Sequence, residues 1–176
     1  AAPDIASGEY FNQPYLAGIK VVPAWNAGLL GAGFIIADLD SGVRATHIDL
    51  LGRIAAGGYD FVNGDDDPDD DEDSITDGHG TASAGVIVGN WNGVGIGGIA
   101  PNAQILPVKI SNDQNISSGD LIRKGFDFVA GNPGVRIILL EAVKTSLSPA
   151  EFASLQLAVA NGKLVIAPSG NGGQAS

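Results

Sequence analysis

The sequence of 176 residues contains no cysteine, so neither disulfide bonds nor thiol chemistry contributes to its structure or activity. It has no apolar run of the roughly 18 residues that a membrane-spanning helix needs, and we expect no membrane span. Basic residues are scarce, with nine Lys and Arg against twenty Asp and Glu and a net charge of −11. A chain this acidic lacks the clustered cations that bind phosphate backbones, so we expect no nucleic-acid partner.

What the sequence does contain is an alternation of short apolar runs and helical windows. Four β-branched runs predict strands that are buried on both faces, at residues 34–37, 105–110, 135–140 and 164–167. Three windows predict helices, at residues 81–89, 118–130 and 149–161. This order predicts an α/β sandwich with a parallel sheet, and the length predicts one domain over residues 1–176.

Two polar segments interrupt this pattern. Asp40 follows the first predicted strand, and catalytic side chains of open α/β sheets collect at such strand ends, although Asp-Ser-Gly is also ordinary turn chemistry. His79 lies between two glycines at the start of a small-residue helix. An imidazole is a general base near neutral pH, whereas a lone histidine is more often structural. The pairing of His79 with an aspartate at a strand end favours the catalytic interpretation.

A glycine-rich segment at residues 93–98 formally satisfies the G-x-G-x-x-G pattern of dinucleotide-binding proteins. That fingerprint must follow a strand and begin a helix, because the pyrophosphate binds at the helix N-terminus. Here the segment follows a helical window and leads into a strand, so the context is reversed. We therefore expect no nucleotide cofactor.

Four motifs in a fixed order carry a family resemblance, at residues 36–50, 78–85, 97–109 and 168–173. They resemble, in turn, the aspartate segment, the histidine motif, the succeeding strand and the oxyanion segment of the subtilisin family of serine endopeptidases. The resemblance implies a three-layer α/β fold, subtilisin-like, with a mostly parallel sheet flanked by helices. It also implies a secreted or extracytoplasmic enzyme that hydrolyses peptide or protein substrates with an Asp-His-Ser triad.

The resemblance assigns three residues to catalysis. His79 would take the proton from a serine hydroxyl, and Asp40 would hold the imidazole in the right tautomer. Asn171 would donate its side-chain amide to the oxyanion of the tetrahedral intermediate. The family's Gly-Thr-Ser nucleophile segment does not occur after Asn171. We therefore expect a C-terminally truncated domain, inactive alone, whose partner is the remaining segment that carries the serine.

One segment departs from the family pattern. Where the family has Asn-x-Ser-x-Gly, which forms a wall of the primary specificity pocket, this chain has Leu139-Leu140-Glu141-Ala142-Val143. Glu141 and Val143 replace the small Ser and Gly, so bulk and charge reshape or block the pocket. This departure favours the alternative of a non-catalytic subtilisin-like module that binds calcium or a protein partner.

Calcium is the expected structural cofactor, at either of two loops. The dense acidic run of residues 65–73 is either a solvated loop or a calcium loop, since closely spaced carboxylates suit a hard cation. The resemblance gives candidate ligands there: Asp60, Asn63, Asp65, Asp67 and Asp69. A second family calcium loop matches Asn92 and Asp49, with an N-terminal ligand that the sequence does not identify.

Overall fold

A parallel sheet of five strands forms the centre of the computed structural model, which describes residues 3–70, 78–112, 117–144 and 146–170. The strands are β1 (Ile35–Asp40), β2 (Tyr59–Asp60), β3 (Gln104–Lys109), β4 (Val135–Leu140) and β5 (Leu164–Ile166). The helices are α1 (Gly8–Phe11), α2 (Pro14–Gly18), α3 (Val22–Asn26), α4 (His79–Val88), α5 (Gly119–Ala130) and α6 (Pro149–Ala160). The strands lie in the order β2-β3-β1-β4-β5, and all neighbouring pairs are parallel.

Side chains alternate between the two faces of this sheet, and helices cover both faces. Leu39 of β1 belongs to an apolar cluster with Phe126 of α5 and Ala158 of α6. Ile36 of the same strand belongs to a second apolar cluster on the opposite face, with Val88 of α4. Each face of a buried parallel strand needs such a cover, because its side chains point both ways. The predicted three-layer α/β sandwich is confirmed.

Element boundaries differ from the predictions in ways that follow from chain geometry. Helix α4 begins at His79, two residues earlier than predicted, because Gly78 ends the preceding loop in the left-handed region at φ 101°. The two-residue strand β2 and the short helices α1, α2 and α3 were not predicted. Elements of two to five residues are too short to show a period of 2 or 3.6. Within the described ranges, no helix combines the length and the apolar character needed to cross a bilayer.

A capping box fixes helix α6 and the loop that follows β4. The Ser148 hydroxyl accepts from the Glu151 amide at 3.3 Å, and the Ser148 amide donates to the Glu151 carboxylate at 2.8 Å. Lys144 donates to the same carboxylate at 2.5 Å. These bonds, with that of Lys144 first, lower the pKa of Glu151 to about 2. The loop that carries Glu141 is therefore tied to α6 at its far end.

Candidate active site

Asp40 and His79, which lie 39 positions apart in the sequence, are hydrogen-bonded to each other. Asp40 is the last residue of β1 and is buried, whereas His79 is the first residue of α4 and its side chain is 46% exposed. The Nδ1 atom of His79 lies 2.8 Å from Oδ2 and 3.0 Å from Oδ1 of Asp40. A neutral imidazole that donates from Nδ1 carries its lone pair on Nε2. The pair is therefore arranged to accept a proton at Nε2.

Two opposing electrostatic effects act on the pKa of the Asp40 carboxyl group. Burial raises the pKa of the Asp40 carboxyl most strongly, whereas the charge and hydrogen bond of His79 lower it. The backbone amide of Ser41 donates to Oδ1 at 2.7 Å and also lowers it, while the nearby charge of Asp70 raises it. The net pKa of Asp40 lies above its usual value. His79 therefore offsets part of the effect of burial on the pKa of Asp40.

A second hydrogen-bonded pair holds the start of α4 against the end of β1. The Ser41 hydroxyl accepts from the Gly80 amide at 3.0 Å and faces a carboxylate oxygen of Asp70 at 3.4 Å. The other oxygen of Asp70 accepts from the Thr81 hydroxyl at 2.7 Å and from the Thr81 amide at 3.3 Å. Asp70 is buried, although it belongs to a run of acids that look alike in the sequence. Sequence reasoning missed Ser41 and Asp70 as residues that position the site.

Gly80 permits the close approach of α4 to β1 on which the Asp40–His79 bond depends. A side chain at this position would collide with the carbonyl oxygen of Gly42, and its Cβ would lie 3.2 Å from Cβ of Asp40.

Overpacking of a well-packed contact, such as the one at Gly80, costs about 1–3 kcal/mol. We therefore predict that Gly80→Ala lowers the free energy of unfolding by about 1–3 kcal/mol, measured by urea denaturation. Gly18→Ala in α2 is the matched control, because no atom lies within 4 Å of its Cβ position. Equal stability of the two variants would contradict the prediction.

Beside His79 lies a cavity of about 330 Å³ that is walled by α4 and by the end of β4. Its lining includes the polar residues His79, Ser83 and Glu141 and apolar residues such as Val86 and Leu139.

Of the three predicted catalytic residues, the fold brings Asp40 and His79 together. Asn171 lies outside the described residues. The segment before it runs past the β4 end, since a Cβ at Gly170 would lie 3.2 Å from Cγ1 of Val143.

Asp38, two residues before Asp40 on the same strand, is a carboxyl group that sequence reasoning did not single out. It is 1% exposed, and neither of its carboxylate oxygens has a hydrogen-bond partner within the described part of the chain. Burial raises its pKa well above the usual value, and the charges of Asp40, Glu141 and Asp70 raise it further. The only sequence signal is an acid within an apolar strand.

The predicted acidic calcium loop is held largely by its own backbone. Asp60 is fully buried, its Oδ1 atom accepts from the Val62 and Asn63 amides, and its Oδ2 atom lies 3.7 Å from Nζ of Lys109. Asp60 and Asp65 exchange backbone hydrogen bonds at 2.9 and 3.1 Å. The Asp65 carboxylate accepts from the amide of Asp67 at 3.1 Å, and that of Asp69 accepts from the amide of Asp70 at 2.9 Å. No group of three or more acidic or histidine side chains within the described ranges is arranged to hold a metal ion.

The second predicted calcium loop brings its two predicted residues into contact. Asn92 donates from its side-chain amide to Oδ1 of Asp49 at 3.0 Å, and the Ile96 amide approaches Oδ2 of Asp49 at 3.4 Å. Glu9, which is 6% exposed, accepts from the backbone amide of Asn92 at 3.0 Å. Asp49 and Glu9 thus place two buried carboxylates on one loop. Glu9 was missed because a single acid in a short helix carries no sequence signal.

Comparison of the sequence with known proteins identifies the family that it resembles. The sequence model of the subtilase family matches residues 31–176. The chain is 40% identical over 169 residues to the minor extracellular protease Epr of Bacillus subtilis, covering 95% of this chain and 24% of that protein. It is 35% identical over 158 residues to subtilisin Savinase of Lederbergia lenta, covering 90% and 55%, and 31% identical over 170 residues to thermitase of Thermoactinomyces vulgaris, covering 92% and 58%. The chain therefore spans between about a quarter and three-fifths of the length of these relatives.

Proposed function

Because the chain belongs to the subtilase family, we propose that it supplies the acid and the base of a serine endopeptidase. In this proposal Asp40 orients His79, and Nε2 of His79 takes the proton from a serine hydroxyl as that oxygen attacks the peptide carbonyl. The same nitrogen then returns the proton to the leaving amine. The observation that carries the proposal is the 2.8 Å contact between His79 Nδ1 and the buried Asp40 carboxylate.

The remaining catalytic parts belong to the proposal as well. Asn171 is the proposed donor to the oxyanion, since the segment before it passes beside Val143 at the site. The serine is proposed to lie in a segment equivalent to the additional length of the relatives, with which this chain forms the working site. Peptides or proteins are the proposed substrates, and the chain without that segment is proposed to be inactive.

An uncovered apolar face supports the proposed association with a further segment. Leu164 and Ile166 of β5 are 57% and 46% exposed, and they pair in register with Ile137 and Leu139 of β4 on the α4 side of the sheet. Exposed apolar residues on a strand of a parallel sheet are unusual, because helices normally cover both faces of such a sheet. The face adjoins the cavity beside His79, so a segment packed there lies within reach of the catalytic pair.

Labelling with a fluorophosphonate tests the proposed activity, because this reagent reacts with a serine that a neighbouring base activates. The polypeptide should be prepared at the length at which the producing cell makes it, and its mass measured before and after labelling. A labelled serine, together with hydrolysis of casein, supports the enzyme. An unlabelled polypeptide that hydrolyses no protein substrate contradicts it and favours a non-catalytic module.

Calcium is the proposed structural cofactor at the loop of Asp49 and Asn92, with Glu9 as a further ligand. Calcium takes six to eight oxygen ligands, and this loop offers two buried carboxylates, an amide oxygen and backbone carbonyls. When bound, the ion would supply positive charge between Asp49 and Glu9. At the acidic run, the ammonium group of Lys109 already faces Asp60. We propose Asp60, Asn63, Asp65, Asp67 and Asp69 as a second site on composition alone.

Removal of calcium should lower the melting temperature. Bound ligand at about 100 times its dissociation constant stabilises by about 2.7 kcal/mol, which corresponds to roughly 5–10 °C for a domain of this size. We expect a fall of that order when EDTA replaces calcium, measured by differential scanning calorimetry. Asp49→Asn should remove the part of the difference that arises at this loop, whereas Asp66→Asn, at an exposed position outside both proposed ligand sets, should preserve the whole difference. Equal melting temperatures of the unmodified chain in calcium and in EDTA would remove calcium from the proposal.

A location outside the cytoplasm completes the proposal. Calcium is far more available there than inside cells, and a calcium-stabilised protease suits such a setting. The names of the relatives include both an extracellular and an intracellular protease of Bacillus subtilis. Fractionation of the producing cells, with detection by an antibody to this chain, tests the location. Recovery only from the cytosol would contradict it.

A further inference from the structure

Asn92 is followed by Gly93 in the loop between α4 and β3, and both residues are exposed. The side-chain carbonyl of an asparagine that precedes glycine is open to attack by the next backbone nitrogen, because glycine has no side chain to obstruct the approach. The sequence contains four such pairs, and the structure describes three of them: Asn63-Gly64, Asn92-Gly93 and Asn161-Gly162. These three pairs differ in the hydrogen bonds of the two groups that react.

The attacking nitrogen is free of hydrogen bonds at only one of the three described pairs. Within the described ranges, the Gly93 N–H has no acceptor. The Gly64 amide donates to the Asp60 carbonyl at 2.9 Å, and the Gly162 amide donates to the Val159 carbonyl at 2.9 Å. A nitrogen whose hydrogen is engaged reacts only after that bond breaks, which costs free energy. Of these three nitrogens, that of Gly93 is therefore the most readily available.

The side chain of Asn92 is held with its carbonyl group polarised. Its Oδ1 atom accepts from the Val94 amide at 3.0 Å, and its Nδ2 atom donates to Oδ1 of Asp49 at 3.0 Å. A donor at the carbonyl oxygen stabilises the negative charge that this oxygen acquires when a nucleophile adds to Cγ. The loop therefore places a polarised carbonyl carbon and an unengaged nitrogen on adjacent residues.

We infer that Asn92 is a site of deamidation, a covalent modification that converts it to aspartate or isoaspartate. Hydroxide removes the proton of the Gly93 amide, and the nitrogen then attacks Cγ of Asn92. The new N–Cγ bond closes a succinimide ring, the Cγ–Nδ2 bond breaks, and Nδ2 takes a proton from water and leaves as ammonia. Water then opens the ring. Cleavage of the bond from nitrogen to Cγ gives aspartate, and cleavage of the bond from nitrogen to the backbone carbonyl carbon gives isoaspartate.

Either product changes the contacts that Asn92 makes with two other segments. Aspartate places a carboxylate where the amide now donates to Asp49 at 3.0 Å, and two negative charges at that separation repel each other. Isoaspartate adds a carbon atom to the backbone between residues 92 and 93, which displaces the loop. The backbone amide of Asn92 also donates to Glu9 of α1 at 3.0 Å. Deamidation should therefore loosen the contacts of this loop with α1 and with the segment after β1.

Site-resolved mass spectrometry of the natural-length polypeptide tests this inference. The polypeptide is first treated with a fluorophosphonate to prevent self-digestion. It is then incubated in EDTA at pH 8, at a temperature at which circular dichroism shows that it stays folded. We expect Asn92 to convert about 10-fold faster than Asn63 and Asn161, because a hydrogen bond must break before the nitrogen reacts at each of those two sites.

The same polypeptide unfolded in urea is the matched control. The three sites should then convert at similar rates, because each is an unprotected pair of the same two residues. Equal rates at the three sites of the folded polypeptide, faster conversion at Asn63 or Asn161, or no conversion at Asn92 would overturn the inference.

Two variants test the effect of the modification on the loop. Asn92→Asp supplies the aspartate product directly and should lower the melting temperature in EDTA. Gln156→Glu makes the same amide-to-carboxylate change at an exposed position of α6 and should leave the melting temperature nearly unchanged. Equal melting temperatures of the two variants would contradict the expected loosening. The inference does not depend on the proposed protease function, which fluorophosphonate labelling judges separately, because deamidation requires no activated serine.

Discussion

Replacement of Asp38 with valine should stabilise the folded chain by about 2–4 kcal/mol at pH 8, and by much less at pH 4. Asp38 lies in the central strand, between Pro107 of β3 and Leu139 of β4, and is 1% exposed. Neither of its oxygens has a hydrogen-bond partner among the described residues. Burial of an unpaired carboxyl group opposes folding, and an apolar side chain of similar size removes that penalty.

The pH dependence of this effect follows from the direction of the pKa shift. Burial, and then the charges of Asp40, Glu141 and Asp70, raise the pKa of Asp38 in the folded chain well above its usual value. The folded state therefore holds a proton on Asp38 at pH values where the unfolded state has released it. The stability that this proton gives is fully present below the unfolded pKa of about 3.9 and is lost as pH rises through the folded pKa. Asp38→Val should remove this loss.

Urea unfolding between pH 4 and pH 8 measures the effect. The difference in unfolding free energy between Asp38→Val and the unmodified chain should grow as pH rises. Asp66→Val is the matched control, because it makes the same change at an exposed position in the loop before α4, and its difference should stay small and constant. If the free energies of unfolding of Asp38→Val and of the unmodified chain change with pH in the same way, ionisation of Asp38 does not destabilise the fold.

The parallel sheet was predictable because its strands are long enough to show their chemistry. β1, β3 and β4 are six residues each and rich in β-branched side chains, which is typical of strands covered on both faces. Helix α6 carries Ser148, Pro149 and Glu151 in capping positions, which identify its start from sequence alone. The two residues of β2 form a strand only because they pair with β3, which is distant in the sequence, so no local pattern predicts this strand.

The predictability of the site depends on whether a residue's role is local. Asp40 lies at the end of a strand and His79 at the start of a helix, and both positions can be predicted from the local sequence without knowledge of their 2.8 Å contact. Asp70 holds Thr81 from within a run of acids, and only the fold distinguishes it from its neighbours. Glu9 reaches Asn92 across 83 positions of sequence, a contact that a single sequence does not encode in any local motif.

In the natural-length polypeptide that we propose to carry the serine, Asp40→Asn and His79→Ala should nearly abolish peptide hydrolysis. Loss of the aspartate leaves the histidine in the wrong tautomer and lowers kcat by about 10⁴-fold, and loss of the histidine removes the base and lowers it by about 10⁶-fold. The two losses should not add in the double variant, because both residues act on the same proton. Initial rates with a peptide p-nitroanilide measure kcat and KM, and we expect KM to change little.

His47→Asn is the matched control for these variants, because His47 is the other of the two histidines in the sequence. Its Nδ1 atom accepts from the Asp49 amide at 3.2 Å at the start of a short 3₁₀ helix, Ile48–Leu50, and asparagine offers an equivalent acceptor at this N-cap position. His47→Asn should therefore retain full activity. Additive losses in the Asp40 and His79 double variant would mean that the two residues act independently, in spite of their hydrogen bond. Retention of kcat in His79→Ala would place the base elsewhere, and the proposed mechanism would then be wrong although the family assignment would stand.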